Sequence, residues 1–161
     1  MSVRIASIAT RAWAALVSTA LMGAAFAEDG PQVKSVTPLP AYRQECAACH
    51  VAYPPGTLPA DSWRHILNNL DRHFGTNASL DPASVKQIEV WLTAHAANAG
   101  RTASAPPEDR ITRSRWFIAT HDEVPASTWR LPAVKSASNC AACHTRADQG
   151  NFDERYLRIP R

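Results

Sequence analysis

Between Asp61 and Gly75 the apolar residues Trp63, Ile66, Leu67, Leu70 and Phe74 recur at i, i+3, i+4, i+7 and i+11, which is one stripe of an amphipathic helix. Asp61 or Ser62 is placed to cap its start, and Gly75 follows its end. A second stripe, made by Val85, Ile88, Leu92, Ala96 and Ala99, predicts a helix from Pro82 to Ala99. Asp81 or Ser79 would cap it, Pro82 suits its first turn, and Gly100 would close it. Residues 101–109 then turn small, polar and proline-bearing, the composition of a linker. Beyond them the helical pattern is weak and Pro125, Pro132 and Pro160 interrupt it, so short helices and irregular backbone are expected. The fold class that follows is mainly α with much irregular structure.

The N-terminus reads differently. Met1 to Arg11 carries two positive charges and no negative ones, an apolar run follows over Ala12 to Ala25, and Ala25-Phe26-Ala27 matches a leader cleavage site. The run falls short of the roughly 20 residues that span a bilayer. We therefore expect a secretory signal peptide over 1–27, a periplasmic product without a membrane span, and two units, 28–100 and 101–161, on either side of the linker. Arg4 and Arg11 leave with the leader, so of 17 basic residues 15 remain against 14 acidic ones. Such a balance carries no strong basic patch and speaks against nucleic-acid binding.

All four cysteines fall in one string that occurs twice, Cys46-Ala47-Ala48-Cys49-His50 and Cys140-Ala141-Ala142-Cys143-His144. C-x-x-C-H is the attachment site for c-type haem: the two thiols form thioethers with the porphyrin vinyl groups, and the histidine reaches the iron. A zinc site built from both cysteine pairs would supply four ligands but leaves each histidine unexplained. A redox dithiol lacks its βαβ setting, and a disulfide framework gives no reason for two identical strings. Two covalent haems are expected, on Cys46, Cys49, Cys140 and Cys143, with His50 and His144 on iron. Neither unit is large enough for a generous core, and each haem would supply apolar surface and a covalent staple.

Leader removal also takes Met1 and Met22, the only methionines. His/Met ligation, which raises the potential of many cytochromes c, is then excluded; the sixth ligand is another histidine, a lysine, the terminal amine or nothing, and bis-histidine ligation leads. Four further histidines are available: His65, His73, His95 and His121. At about 100° per residue from Trp63, His73 lies near −80°, bordering the stripe, while His65 lies near +200° and points to solvent. His95 also flanks its stripe, although a histidine suits a helix C-terminus for electrostatic reasons alone. His121 follows the apolar run Trp116 to Ala119 and is the only spare histidine in the second unit. His73 and His121 are thus the expected distal ligands, with their assignment to one iron or the other left open.

Several strings carry a resemblance. They are Glu45 to His50 with Tyr53-Pro54-Pro55 and Leu58-Pro59, Ser62-Trp63, and His73-Phe74-Gly75. In the second half they are Ile111-Thr112, Trp116-Phe117 with His121 and Glu123, Cys140 to His144, and the tail from Phe152 to Arg161. In order and spacing the chain resembles the dihaem cytochrome c (DHC) family of small periplasmic electron carriers. The resemblance implies two neighbouring c-type haems, each with two histidines, His50 and His144 proximal and His73 and His121 distal. It also implies a class I cytochrome c-like first half and electron exchange with another cytochrome or haem protein, while the weak helical pattern and prolines of the second half suggest irregular backbone wrapped on its haem. Six-coordinate irons suit a carrier rather than an enzyme. A catalytic or gas-sensing haem would need a displaceable distal ligand, with Arg113, Arg115, Asp122 and Glu123 as the charged residues near His121.

Overall fold

The computed structural model describes residues 36–98 and 100–161, so the leader expected over 1–27 lies outside the described residues. Regular structure is helical: α1 (Pro40–Cys46), α2 (Ala60–Leu67), α3 (Pro82–Ala94) and α4 (Arg115–Thr120), joined by short 3-10 turns. Among the described residues there is no strand, only isolated bridge pairs such as His144 with Leu157. None of the described helices is long and apolar enough to cross a membrane. The expected mainly α, largely irregular architecture is what forms.

Both predicted helices end early. The stripe that begins at Trp63 is helical only to Leu67; a single 3-10 turn, Leu70–Arg72, follows, and His73 sits outside any helix. The Asn68-Asn69 pair explains the break, because Asn side chains compete for backbone groups and Asn69 Nδ2 donates to the His65 carbonyl at 2.8 Å. Phe74 then takes a left-handed φ of 48° and Gly75 one of 98°, turning the chain back. Phe74 does not join the core as the stripe implied; it is 45% exposed. In α3 the Asp81 carboxylate caps as expected, accepting from the N–H groups of Ala83 and Ser84 at 3.0 Å. The helix stops at Ala94 rather than Ala99, since the Ala97 N–H donates to the Leu58 carbonyl at 3.0 Å instead of continuing the helical ladder.

Tyr42, Leu58, Trp63, Leu67, Ile88 and Leu92 form the core where α1, α2 and α3 meet. Burying each such side chain stabilises the fold by about 1.5–3 kcal/mol. Trp63 also donates its indole N–H to the Pro55 carbonyl at 2.7 Å, which pins α2 onto the Pro54-Pro55 segment. The second half has less to bury: among its described residues, Pro106, Phe117, Val134 and Ala147 are the buried apolar side chains.

The stretch read as a linker is strapped to the first half. The Asp109 carboxylate lies 3.4 Å from His65 Nδ1, the Arg110 guanidinium sits 4.5 Å over the Phe74 ring, and Ile111 packs on the first-half core. Glu108 and Asp109 hold φ values of 57° and 54°, a conformation that costs non-glycine residues energy and persists where surrounding contacts enforce it.

Candidate functional site

Helix α1 delivers Cys46 at its last residue, and the turn after it carries Cys49 and the half-buried His50. His50 Nδ1–H donates to the Val51 carbonyl at 2.7 Å. A carbonyl only accepts, so the proton is on Nδ1 and the Nε2 lone pair stays free for a metal. The His73 ring lies 6.1 Å from the His50 ring, centroid to centroid, with planes 21° apart. Tyr53 stacks on His50 at 4.8 Å, and Phe74 meets His73 edge-on at 4.9 Å. Burial, and secondarily the neighbouring His50, lowers the His73 pKa.

The second string repeats this arrangement with other supports. Cys140 opens a 3-10 turn, and the C-terminal tail crosses it through Arg158 N–H to the Cys143 carbonyl at 2.8 Å and Thr145 N–H to the Tyr156 carbonyl at 3.1 Å. His121 ends α4, where Nδ1–H donates to the Phe117 carbonyl one turn back at 2.9 Å, leaving Nε2 free there too. The Phe117 ring stacks on it at 4.0 Å and Trp129 lies at 6.0 Å. His121 and His144 stand 6.2 Å apart with planes at 68°. His144 Nδ1 is buried without a hydrogen-bond partner, and burial, followed by His121, lowers its pKa.

Two imidazoles sharing one metal between them should have centroids about 6 Å apart, from two metal–nitrogen bonds of about 2 Å and two ring radii of about 1 Å. Both histidine pairs meet that spacing. Among the described residues no cluster of three or more His, Cys, Asp or Glu side chains suited to a metal occurs, so each pair fits a group that brings most of its own metal ligands. A porphyrin has that character: four equatorial nitrogens, with two axial positions left to the protein. Among the four cysteines, the leading one of each string lacks the lowered thiol of a redox dithiol. All four are free, and burial pushes the Cys46 and Cys140 thiols up to about 11, whereas redox dithiols are lowered.

Of the other histidines, His65 is 68% exposed and faces Asp109. His95 caps the end of α3 and donates from Nδ1 to the Trp91 carbonyl at 2.8 Å. Sequence reasoning missed the supporting aromatic rings. Phe117, four residues before His121 on one helix face, was legible in principle. Tyr53 carries no periodic signal.

The sequence matches the dihaem cytochrome c family over residues 42–152. Among solved structures, the chain is similar to the diheme cytochrome type c sb-DHC of Shewanella baltica OS155, at 44% identity and a TM-score of 0.66, covering 75% of this chain and 92% of that one. It is also similar to the diheme cytochrome c of Rhodobacter sphaeroides, at 44% identity and a TM-score of 0.67 over 74% of this chain and 100% of that one. A structure of DHC purified from Rhodobacter sphaeroides matches at 45% identity and a TM-score of 0.64, covering 73% and 100%. No curated protein matches the chain. Two covalently bound haems c go with such a family, and two C-x-x-C motifs, Cys46/Cys49 and Cys140/Cys143, stand ready to receive them; the chain belongs to the dihaem cytochrome c family.

Proposed function

We propose that the protein is a periplasmic electron carrier in which His50 and His73 hold one haem iron and His144 and His121 the other, each haem being attached through the adjacent cysteine pair. The observation that carries this reading is the twofold occurrence of an imidazole pair at metal-sharing distance, 6.1 and 6.2 Å. Each pair is drawn from one half of the chain, which supports an uncrossed assignment of the distal histidines and the division into two haem units, 28–100 and 101–161.

Bound haem supplies an iron that takes up and releases single electrons. The chain's own residues do the rest. Val51 and Phe117 accept Nδ1–H bonds that fix the tautomer and orientation of His50 and His121 and raise their basicity as ligands. Cys46, Cys49, Cys140 and Cys143 anchor the porphyrin edges. With no thioether ligand in the mature chain, both potentials should be low compared with His/Met cytochromes. The leader over 1–27 supports export, and the partner we expect is another periplasmic cytochrome or haem protein.

Electron paramagnetic resonance of the oxidised protein, with a pyridine haemochrome assay, tests the reading. Two equivalents of covalent haem and two low-spin ferric signals are expected. A high-spin signal of comparable size would show an open iron and favour a catalytic or gas-binding role instead.

A further inference from the structure

Tyr53 lies three residues past His50 and touches both halves of the chain. Its ring stacks on the His50 imidazole with planes 21° apart. Its hydroxyl donates to the Ser138 carbonyl at 2.8 Å, 85 residues on and just before Cys140. Its own carbonyl accepts the hydroxyl of buried Tyr42 at 2.9 Å, so the backbone under the ring is held by the first-half core.

The acceptor is equally well placed. Ser138 sits in a turn in which its N–H donates to Ser136 Oγ at 3.2 Å, while Asn139 N–H donates to the Ser136 carbonyl at 3.0 Å. Asn139 Nδ2 reaches the carbonyl of fully buried Val134 at 3.1 Å. The two halves also meet around a cleft of about 200 Å³ that is lined by His50 and Tyr53 on one side and Asp148, Gln149 and Gly150 on the other. A phenylalanine would supply the stacking; only the hydroxyl reaches across.

We propose that Tyr53 is a positioning residue that joins the two haem-attachment segments: its ring orients the His50 imidazole, and its hydroxyl holds the turn that leads into Cys140. The imidazole half of this proposal rests on His50 being an axial ligand. Groups that contact a metal ligand from outside set its orientation and tune the metal, and here one such group is fastened to the attachment segment of the other haem.

Two variants of the holoprotein separate the ring from the hydroxyl. Tyr53→Phe keeps the stack and loses the tie; both low-spin signals should stay in place, while amide hydrogen exchange rises about tenfold at residues 136–144 and nowhere else. Tyr53→Leu loses both, and should additionally shift one low-spin signal. The proposal is overturned if Tyr53→Leu moves neither signal, if Tyr53→Phe leaves exchange at 136–144 unaltered, or if exchange rises throughout the chain, which would mark a general contribution to folding. A high-spin signal in the unmodified protein would remove the imidazole half together with the ligand reading. Unchanged behaviour of both variants on a low-spin background removes the positioning role alone.

Discussion

The imidazole of His73 faces that of His50 with planes 21° apart, whereas His121 crosses His144 at 68°. The relative orientation of two axial imidazoles governs how unequally they split the iron orbitals, so the two ferric sites should give distinct spectra. One rhombic signal and one more strongly anisotropic signal are expected. His73→Ala should convert the first to high spin and leave the second; His121→Ala should do the reverse. His65→Ala and His95→Ala should leave both in place. A low-spin signal lost in His95→Ala would break the assignment.

Phe117 supports His121 by stacking at 4.0 Å and through its backbone carbonyl. Phe117→Ala removes the ring and keeps the carbonyl. The buried cavity should cost about 3–5 kcal/mol of stability, read from denaturant unfolding. The reduced variant should also bind carbon monoxide at the second haem faster than the parent protein.

The second half buries little apolar surface of its own, so its haem should be needed for its order. A Cys140→Ser, Cys143→Ser double variant should return one equivalent of covalent haem. Limited proteolysis should then cut within 101–161 while the core around Ile88 and Leu92 stays protected. A second half that resists protease in this variant would show that the polypeptide folds it unaided.

Helix α3 should carry a pH signature at its start. Bonds from Ser84, through side chain and backbone, and from Ala83 hold the Asp81 carboxyl below its ordinary value of 3.8. A depressed carboxyl contributes stability that is complete above the unfolded value and disappears as pH falls through the lower folded one. Asp81→Asn keeps a capping side chain and removes this titration. Its melting temperature should therefore fall less steeply below pH 4 than that of the parent protein; parallel curves would refute the assignment.

Chemistry was easier to read from this sequence than geometry. Two copies of C-x-x-C-H name their ligand directly, because covalent attachment fixes residue types at fixed spacing. Apolar periodicity found α2 and α3 and their core residues Trp63, Leu67, Ile88 and Leu92. It overran both ends, since Asn69 and Ala97 stop the helices with bonds to carbonyls that no periodic pattern records. His73 borders a helical stripe in the sequence pattern, yet it stands in the turn beyond the helix. The contacts that strap Asp109, Arg110 and Tyr53 across the two halves join residues far apart in the chain, where a single sequence has nothing to say.

His121 is gripped by a helix end, an aromatic face and a carbonyl; His73 hangs from a turn whose next two residues are both wound left-handed. On the proposed ligation, the distal histidine of the first iron would rest on a turn and that of the second on a helix end. Should a small molecule ever displace a histidine in this protein, the first haem is where the door would open, and carbon monoxide added to the fully reduced chain should claim the His50 site before the His144 site.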